Sequence, residues 1–282
     1  MAKITIMETI KPILANIISE SPSRSNLYKW NLIKEYLQIV VLDFIYSHPD
    51  YSQLLFYGGS ALAHCFDLQR LSEDLDFIDE TKNIDVSKLA KDLEDYFKKR
   101  TDLEVKTTVQ KFRIYLKFPI LHDLGITSRE ETDILFLKVE IYSEFDFCTK
   151  YSTDIRPVFK YNRSVLIKTL DISTLMATKI RAILFRKWEK TDKQGKTTVK
   201  VKGRDYFDLL WYLQKGIQPN FSCIEGFENM KDLKEKLLNM VASIDSQSIQ
   251  LDLEALIANP GFVNNMSKNM KAILEREISE KL

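Results

Sequence analysis

Two aspartates set two residues apart are the first side chains in this chain whose spacing could do chemistry. Asp74 and Asp76 sit in Asp74-Leu75-Asp76-Phe77-Ile78, and extended backbone puts them on one face with Leu75 and Phe77 on the other. Carboxylates so close repel each other unless a cation lies between them. An all-oxygen donor set suits Mg²⁺, with Mn²⁺ as the alternative, held together with substrate phosphates. Upstream, the apolar run 54–57 reads as a buried strand that stops at Gly58-Gly59. Ser60 is placed to cap a short helix over 61–66. Two glycines let backbone approach a ligand closely, and the first amides of a helix offer unpaired N–H groups to an anion. Arg70 and Ser72 lie on the loop between the helix and the aspartates. Such a site could orient a triphosphate, activate an attacking hydroxyl and stabilise a departing pyrophosphate. Gly-Gly in a turn and Asp-x-Asp on a solvated strand are each common; the two halves in sequence are far more specific.

Gly59-Ser60, thirteen residues and then Asp74-x-Asp76 resemble the pattern of the DNA polymerase β-like nucleotidyltransferase superfamily. The fuller strings, Gly58-Gly59-Ser60-Ala61-Leu62 and Arg70-Leu71-Ser72-Glu73-Asp74-Leu75-Asp76-Phe77, resemble the AbiEii/MenT family. Its members are the nucleotidyltransferase halves of toxin–antitoxin and phage-defence systems. The resemblance implies a third carboxylate on a neighbouring strand. Residues 134–142 read as that strand, with Leu135, Leu137, Val139 and Ile141 on its apolar face. Glu140 is the position implied for the third carboxylate, where Asp is commoner; the bland alternative is a surface Lys138–Glu140 pair.

Two later helices carry polar groups against pattern. Lys179 falls on an apolar stripe with Met176, Ile180 and Ile183, and an unpaired buried ammonium is costly, so it must reach a cleft or a buried acid. The very apolar segment 203–213 contains Asp205 and Asp208. First-turn placement of Asp205 and an Arg204–Asp208 ion pair are the plain explanations. Ala177-Thr178-Lys179-Ile180-Arg181-Ala182 and Arg204-Asp205-Tyr206-Phe207-Asp208-Leu209 again resemble AbiEii/MenT motifs. The resemblance implies that Lys179 and one of Asp205 and Asp208 serve the active site; the spacing leaves open which one. From Lys179 through Arg204 there are ten Lys or Arg against two acids. That excess is either an electrostatic footprint for RNA or a solvated basic loop.

Around these motifs the chain reads as an ordinary globular protein. With 45% hydrophobic and 29% charged residues, neither disorder nor a fibrous class fits. A net charge of +1 does not announce a polyanion partner for the whole surface. No apolar run is long enough for a membrane span, and the N-terminal stretch lacks the form of a signal peptide, so a cytoplasmic protein without a membrane partner is expected. Cys65, Cys148 and Cys223 are few and irregularly spaced, which argues against a disulfide framework or a zinc site. His48, His64 and His122 are scattered, and His64 reads as packed rather than catalytic.

Helices are expected over 7–18, 30–44 and 86–97, the last capped by Asp85 or Ser87, followed by an antiparallel pair around 109–111 and a loop over 119–131. Residues 143–170 read as a link to a helical half, with helices in 169–188, 203–213, 230–241, 251–258 and 266–278. The expected fold is therefore α+β, a polymerase β-like nucleotidyltransferase mixed sheet with flanking helices plus a helical C-terminal domain, divided at 1–165 and 166–282. The function implied is Mg²⁺-dependent transfer from a nucleoside triphosphate to RNA, with the tRNA 3′ end favoured, by a toxin with a cognate antitoxin. Asp74, Asp76 and Glu140 would hold metal, and Gly58, Gly59, Ser60, Arg70, Ser72 and Lys179 would bind the nucleotide. Transfer to a protein or small molecule, and nucleotide binding without transfer, are the alternatives.

Overall fold

A computed structural model describes residues 7–148, 150–186, 190–191, 197–199 and 201–282. The chain divides into two compact units. The first comprises the chain up to Asp67, Leu71–Phe145 and Ile155–Thr169; the second comprises Leu68–Arg70, Asp146–Asp154 and Leu170–Leu282.

The first unit is built on a mixed seven-stranded sheet. Its strands are β1 (Leu55–Tyr57), β2 (Asp74–Ile78), β3 (Lys106–Gln110), β4 (Arg113–Pro119), β5 (Ile134–Tyr142), β6 (Thr153–Lys160) and β7 (Arg163–Leu170), in the order β3-β4-β5-β2-β1-β7-β6. β2 runs antiparallel to β1 and parallel to β5, and β7 runs parallel to β1. The helices are α1 (Lys11–Ser19), α2 (Asn26–Ser47), α3 (Gly58–Cys65) and α4 (Val86–Arg100). Helix α2 is buried on most sides through Ile33, Tyr36, Leu37, Ile39, Val40, Val41, Leu42 and Ile45. It packs in one core with Leu75, Phe77, Leu116, Leu137 and Val139 of the sheet. Its buried Gln38 is fully engaged: its amide donates to the Ser72 carbonyl at 3.0 Å, and its oxygen lies 2.9 Å from His64 Nε2. This one side chain ties α3 and the loop before β2 to the central helix. His64 is a packed residue, as its isolation from other ligand types suggested. Asp85, not Ser87, caps α4, accepting from the Ser87 and Lys88 amides.

Residues 143–170 are not a plain link. They hold the β6–β7 hairpin, turned at Tyr161-Asn162 with positive φ at both residues (52° and 58°), the backbone of a two-residue hairpin turn. Alternation hid the hairpin because Ile155, Phe159 and Leu166 are large apolar residues on its exposed side.

The second unit is helical: α5 (Ile172–Phe185), α6 (Gly203–Gln214), α7 (Met230–Ala242), α8 (Ser246–Leu253) and α9 (Pro260–Lys281). Asp171 caps α5 by accepting from the Thr174 amide at 3.0 Å. Asp245 caps α8, which begins and ends earlier than its apolar stripe suggested. Cys148 and Cys223 form a disulfide with Cα atoms 4.3 Å apart, and Cys65 is free. The expectation of unpaired cysteines is thereby corrected. The pairing signal lies in tertiary contacts rather than spacing: Asn220 and Ser222 side chains both donate to the Lys150 carbonyl, bringing the two segments together. No helix among the described residues is long and apolar enough to cross a membrane.

Gly203 opens α6 where a Cβ would lie 2.8 Å from the Ile249 Cα of α8. Backbone cannot yield as a side-chain tip does. Gly203→Ala should therefore destabilise the protein by roughly 1–3 kcal/mol, read as a lower chemical-denaturation midpoint; an unchanged midpoint would show that α6 and α8 have room to part.

Candidate active site

The carboxylates come together through strand register. β2 and β5 pair in parallel so that Asp74 lies opposite Lys138 and Asp76 opposite Glu140, and β4 then sets Arg113 opposite Glu140. One face of three neighbouring strands thus presents Asp74, Asp76, Glu140, Lys138 and Arg113, while Leu75, Phe77, Leu137 and Val139 fill the core on the other. Lys138 Nζ lies 3.0 Å from an Asp74 oxygen and 3.2 Å from Glu140. Arg113 Nε donates to Glu140 at 2.5 Å, and the Tyr142 hydroxyl donates to its other oxygen at 2.5 Å.

These contacts set the protonation states. Burial pushes the Asp76 carboxyl up to about 7, aided by the charges of Asp74 and Glu140 and by a hydrogen bond with Glu140. Two acids that close share a proton more readily than they both ionise. Glu140 goes the other way: burial raises it, but the Tyr142 hydroxyl, Lys138 and Arg113 outweigh that and hold it below its ordinary value. Among the described residues no three metal-type side chains converge on one ready-made position; the Lys138 ammonium lies against Asp74 and Glu140 instead. A site that draws a lysine between its acids, and whose third acid is raised by burial and by its acidic neighbours, has the electrostatics and oxygen donors that suit a hard divalent cation.

The glycine turn adjoins this cluster. Gly58 has φ +80°, and a Cβ there would come within 2.6 Å of an Asp76 oxygen, so only glycine allows the turn to close on the carboxylate. The helix begins at Gly58 itself with Tyr57 as its N-cap. Ser60 is therefore inside the first turn with Gly59, not the cap expected from sequence. Its side chain is buried and its hydroxyl has no hydrogen-bond partner among the described residues. Ser72 is buried on the loop before β2, its carbonyl held by Gln38.

The second unit gathers the other singled-out residues. Lys179 of α5 reaches Asp205 at 2.7 Å and Asp208 at 2.8 Å on α6. Arg70 grips Asp208 with two bonds of 2.6 Å, and Arg186 lies 3.5 Å from Asp205. Arg70 thus sits with Lys179 and Asp208 in the second unit. Asp208 is fully buried. The Arg204–Asp208 pair expected from spacing is not formed: the Arg204 amide donates to Asp252 at 2.8 Å and its Nε lies 3.9 Å from the same carboxylate. Burial alone would raise Asp205, but Lys179 and Lys202 bring it down to about 2. Burial alone would lower Lys179, but Asp205 and Asp208 hold it above its ordinary value. Lys202 is pushed down to about 8 by burial and by the Arg204 charge. In the basic segment expected to meet RNA, residues 187–189, 192–196 and 200 lie outside the described residues.

Sequence reasoning named the acids but missed Arg113 and Tyr142. Tyr142 was legible, since it shares the alternating face of Lys138 and Glu140. Arg113 was not, because the β4–β5 register depends on the intervening loop.

A mixed sheet with a glycine turn facing paired acids is the arrangement that the nucleotidyltransferase resemblance implies. The family described as "Nucleotidyl transferase AbiEii toxin, Type IV TA system" matches residues 43–277, and the chain belongs to it. Solved structures align with the chain at low identity. A Helicobacter pylori protein provisionally called a nucleotidyltransferase aligns with TM-score 0.46 and 16% identity, covering 88% of this chain and 96% of its own. A second Helicobacter pylori structure aligns with TM-score 0.45 and 18% identity, covering 89% and 94%. No curated protein matches at a significant level.

Two outcomes follow from the electrostatics. Between about pH 4 and 7 the folded protein keeps the Asp76 proton that the unfolded chain releases, so stability falls as pH rises. Without divalent cation, Asp76→Asn should raise Tm relative to wild type at pH 8 and not at pH 4; an equal change at both would contradict the shared proton. Asp208→Asn leaves Arg70 and Lys179 buried with one acid fewer and should cost roughly 3–5 kcal/mol of stability, measured by denaturant unfolding.

Proposed function

We propose that this nucleotidyltransferase moves nucleotides from a nucleoside triphosphate to RNA, with the tRNA 3′ end as the favoured acceptor, and thereby blocks translation and growth. In this proposal it is the toxin of a toxin–antitoxin or phage-defence pair, as in the AbiEii/MenT resemblance, and a cognate antitoxin restrains it. The observation that carries the chemistry is Asp76 in register with Glu140, with Asp74 on the same face of its strand, against a glycine turn at Gly58 with φ +80°.

Asp74, Asp76 and Glu140 would hold Mg²⁺ or Mn²⁺. When bound, such an ion supplies charge for the α-phosphate and for the pyrophosphate leaving group. The chain supplies the rest. The first amides of α3 and the unpartnered Ser60 hydroxyl would receive phosphate oxygens, with Gly58 and Gly59 letting them close in. The acceptor hydroxyl oxygen attacks the α-phosphorus, the bond to the bridging oxygen of pyrophosphate breaks, and the hydroxyl proton passes to a base. With Asp76 holding the metal, solvent water or a carboxylate that is not a metal ligand would take it. By the family resemblance Lys179 would serve the triphosphate as a point charge, with Asp205 and Asp208 holding the ammonium in place. Asp208 is bonded to both Arg70 and Lys179, and Asp205 to Lys179.

The test supplies each α-labelled nucleoside triphosphate with Mg²⁺ and total RNA to wild type and to Asp76→Ala. Label should enter a tRNA-sized band and fall by at least about a hundredfold in the variant, the scale of losing a principal electrostatic group. Label on protein or a small molecule would move the acceptor away from RNA. Triphosphate binding with no transfer to any acceptor would overturn the proposal.

A further inference from the structure

The face that bears the carboxylates runs on beyond them. In register across β5, β4 and β3, Lys138 is followed by Tyr115 and Thr108, and Phe136 by Lys117 and Lys106. The row through Glu140 continues to Arg113 and Gln110. Strand alternation puts all of these on the side away from the core residues Ile114, Leu116, Leu135 and Leu137. On these three strands the face carries four cations and, apart from Glu140, no acid. Lys138 and Arg113 are taken up by the carboxylates; Lys106 and Lys117 have no carboxylate partner among the described residues. Phe136 is 46% exposed. Lys117 Nζ lies 6.0 Å from its ring centre, so the one exposed ring has a cation beside it.

An exposed ring, Phe136, and a half-buried one, Tyr115, interleaved with uncommitted cations suit a single strand: bases stack on the rings while phosphates meet the ammoniums. Stacking on these rings needs bases that are not already paired and stacked in a duplex. Along β5 the ring of Phe136 is four residues from Glu140, roughly 13–14 Å of extended strand, which leaves room for a short unpaired end between them. Resting on the nucleotidyltransferase proposal above, we propose that the β3–β4–β5 face binds the unpaired 3′ end of the acceptor RNA. Its terminal hydroxyl lies at the carboxylates, preceding bases stack on Tyr115 and Phe136, and their phosphates lie on Lys117 and Lys106.

The experiment measures fluorescence anisotropy of a 5′-labelled RNA hairpin with a short unpaired 3′ end and of the same hairpin with a blunt end. Triphosphate binding in the presence of Mn²⁺ is measured on the same samples. Wild type should prefer the unpaired end. Phe136→Ala should weaken that binding roughly tenfold and leave the blunt hairpin unchanged. Lys106→Ala/Lys117→Ala should lower the slope of log affinity against log salt by about 1.4, two phosphates at about 0.7 each. These are surface positions, and an unchanged Tm confirms folding. Equal affinity for the two hairpins, or binding untouched by either variant, would overturn the surface. Loss of both hairpins alike on Phe136→Ala would overturn the single-strand preference. RNA binding as proposed but without triphosphate binding would support the surface and overturn the transfer proposal instead.

Discussion

Three carboxylates held in register on neighbouring strands are the constraint that shapes the first unit. β2 and β5 cannot slide by one residue without turning Leu75, Phe77, Leu137 and Val139 out of the core. The apolar face therefore enforces the proximity that the charged face resists. Lys138, Arg113 and Tyr142 offset the repulsion at Asp74 and Glu140, and Asp76, buried beside both acids, favours its protonated form. The glycine turn follows from the same crowding, because Asp76 fills the space where a Cβ at position 58 would go. Stability is thereby given up at neutral pH in a place where a cation and a triphosphate could restore it.

The second unit solves a related problem in the opposite way. Lys179, Arg70, Asp205 and Asp208 are buried charges whose signs balance. Such a network gains little over well-packed apolar side chains, yet losing one member is expensive. Its residues come from a short segment near position 70 and from two helices, so it fixes α5, α6 and the Arg70 segment together. A loss of activity on substituting Lys179 or Asp208 is consequently ambiguous unless stability is measured beside it. Asp205 has Arg186 and Lys202 near it as well.

Much of this was legible in the sequence because local rules govern it. Alternation placed Asp74 with Asp76 and Glu140 with Lys138, and helical spacing exposed Lys179 as a charge on an apolar stripe that had to find an acid. What was not legible depended on contacts distant in sequence. Ser60 looked like a cap by residue type, but the helix starts at Gly58, whose positive φ only the structure shows. Arg204 sat at the right spacing from Asp208, yet Arg70 and Lys179 claim that acid and Arg204 turns to Asp252. The β6–β7 hairpin escaped notice because its exposed side is apolar and its turn contains no glycine. The Cys148–Cys223 pair spans 75 residues and leaves no trace in spacing.

The central claim is that Asp74, Asp76 and Glu140 form a site that exchanges its shared proton for a divalent cation. Titrating Mn²⁺ into the protein at pH 6, 7 and 8, with calorimetry in buffers of different ionisation enthalpy, tests it directly. Affinity should rise with pH through about 7, with proton release on binding at the lower pH, and both should vanish in Asp74→Asn and Asp76→Asn. Binding of equal strength at all three pH values, or binding that survives both substitutions, would contradict it.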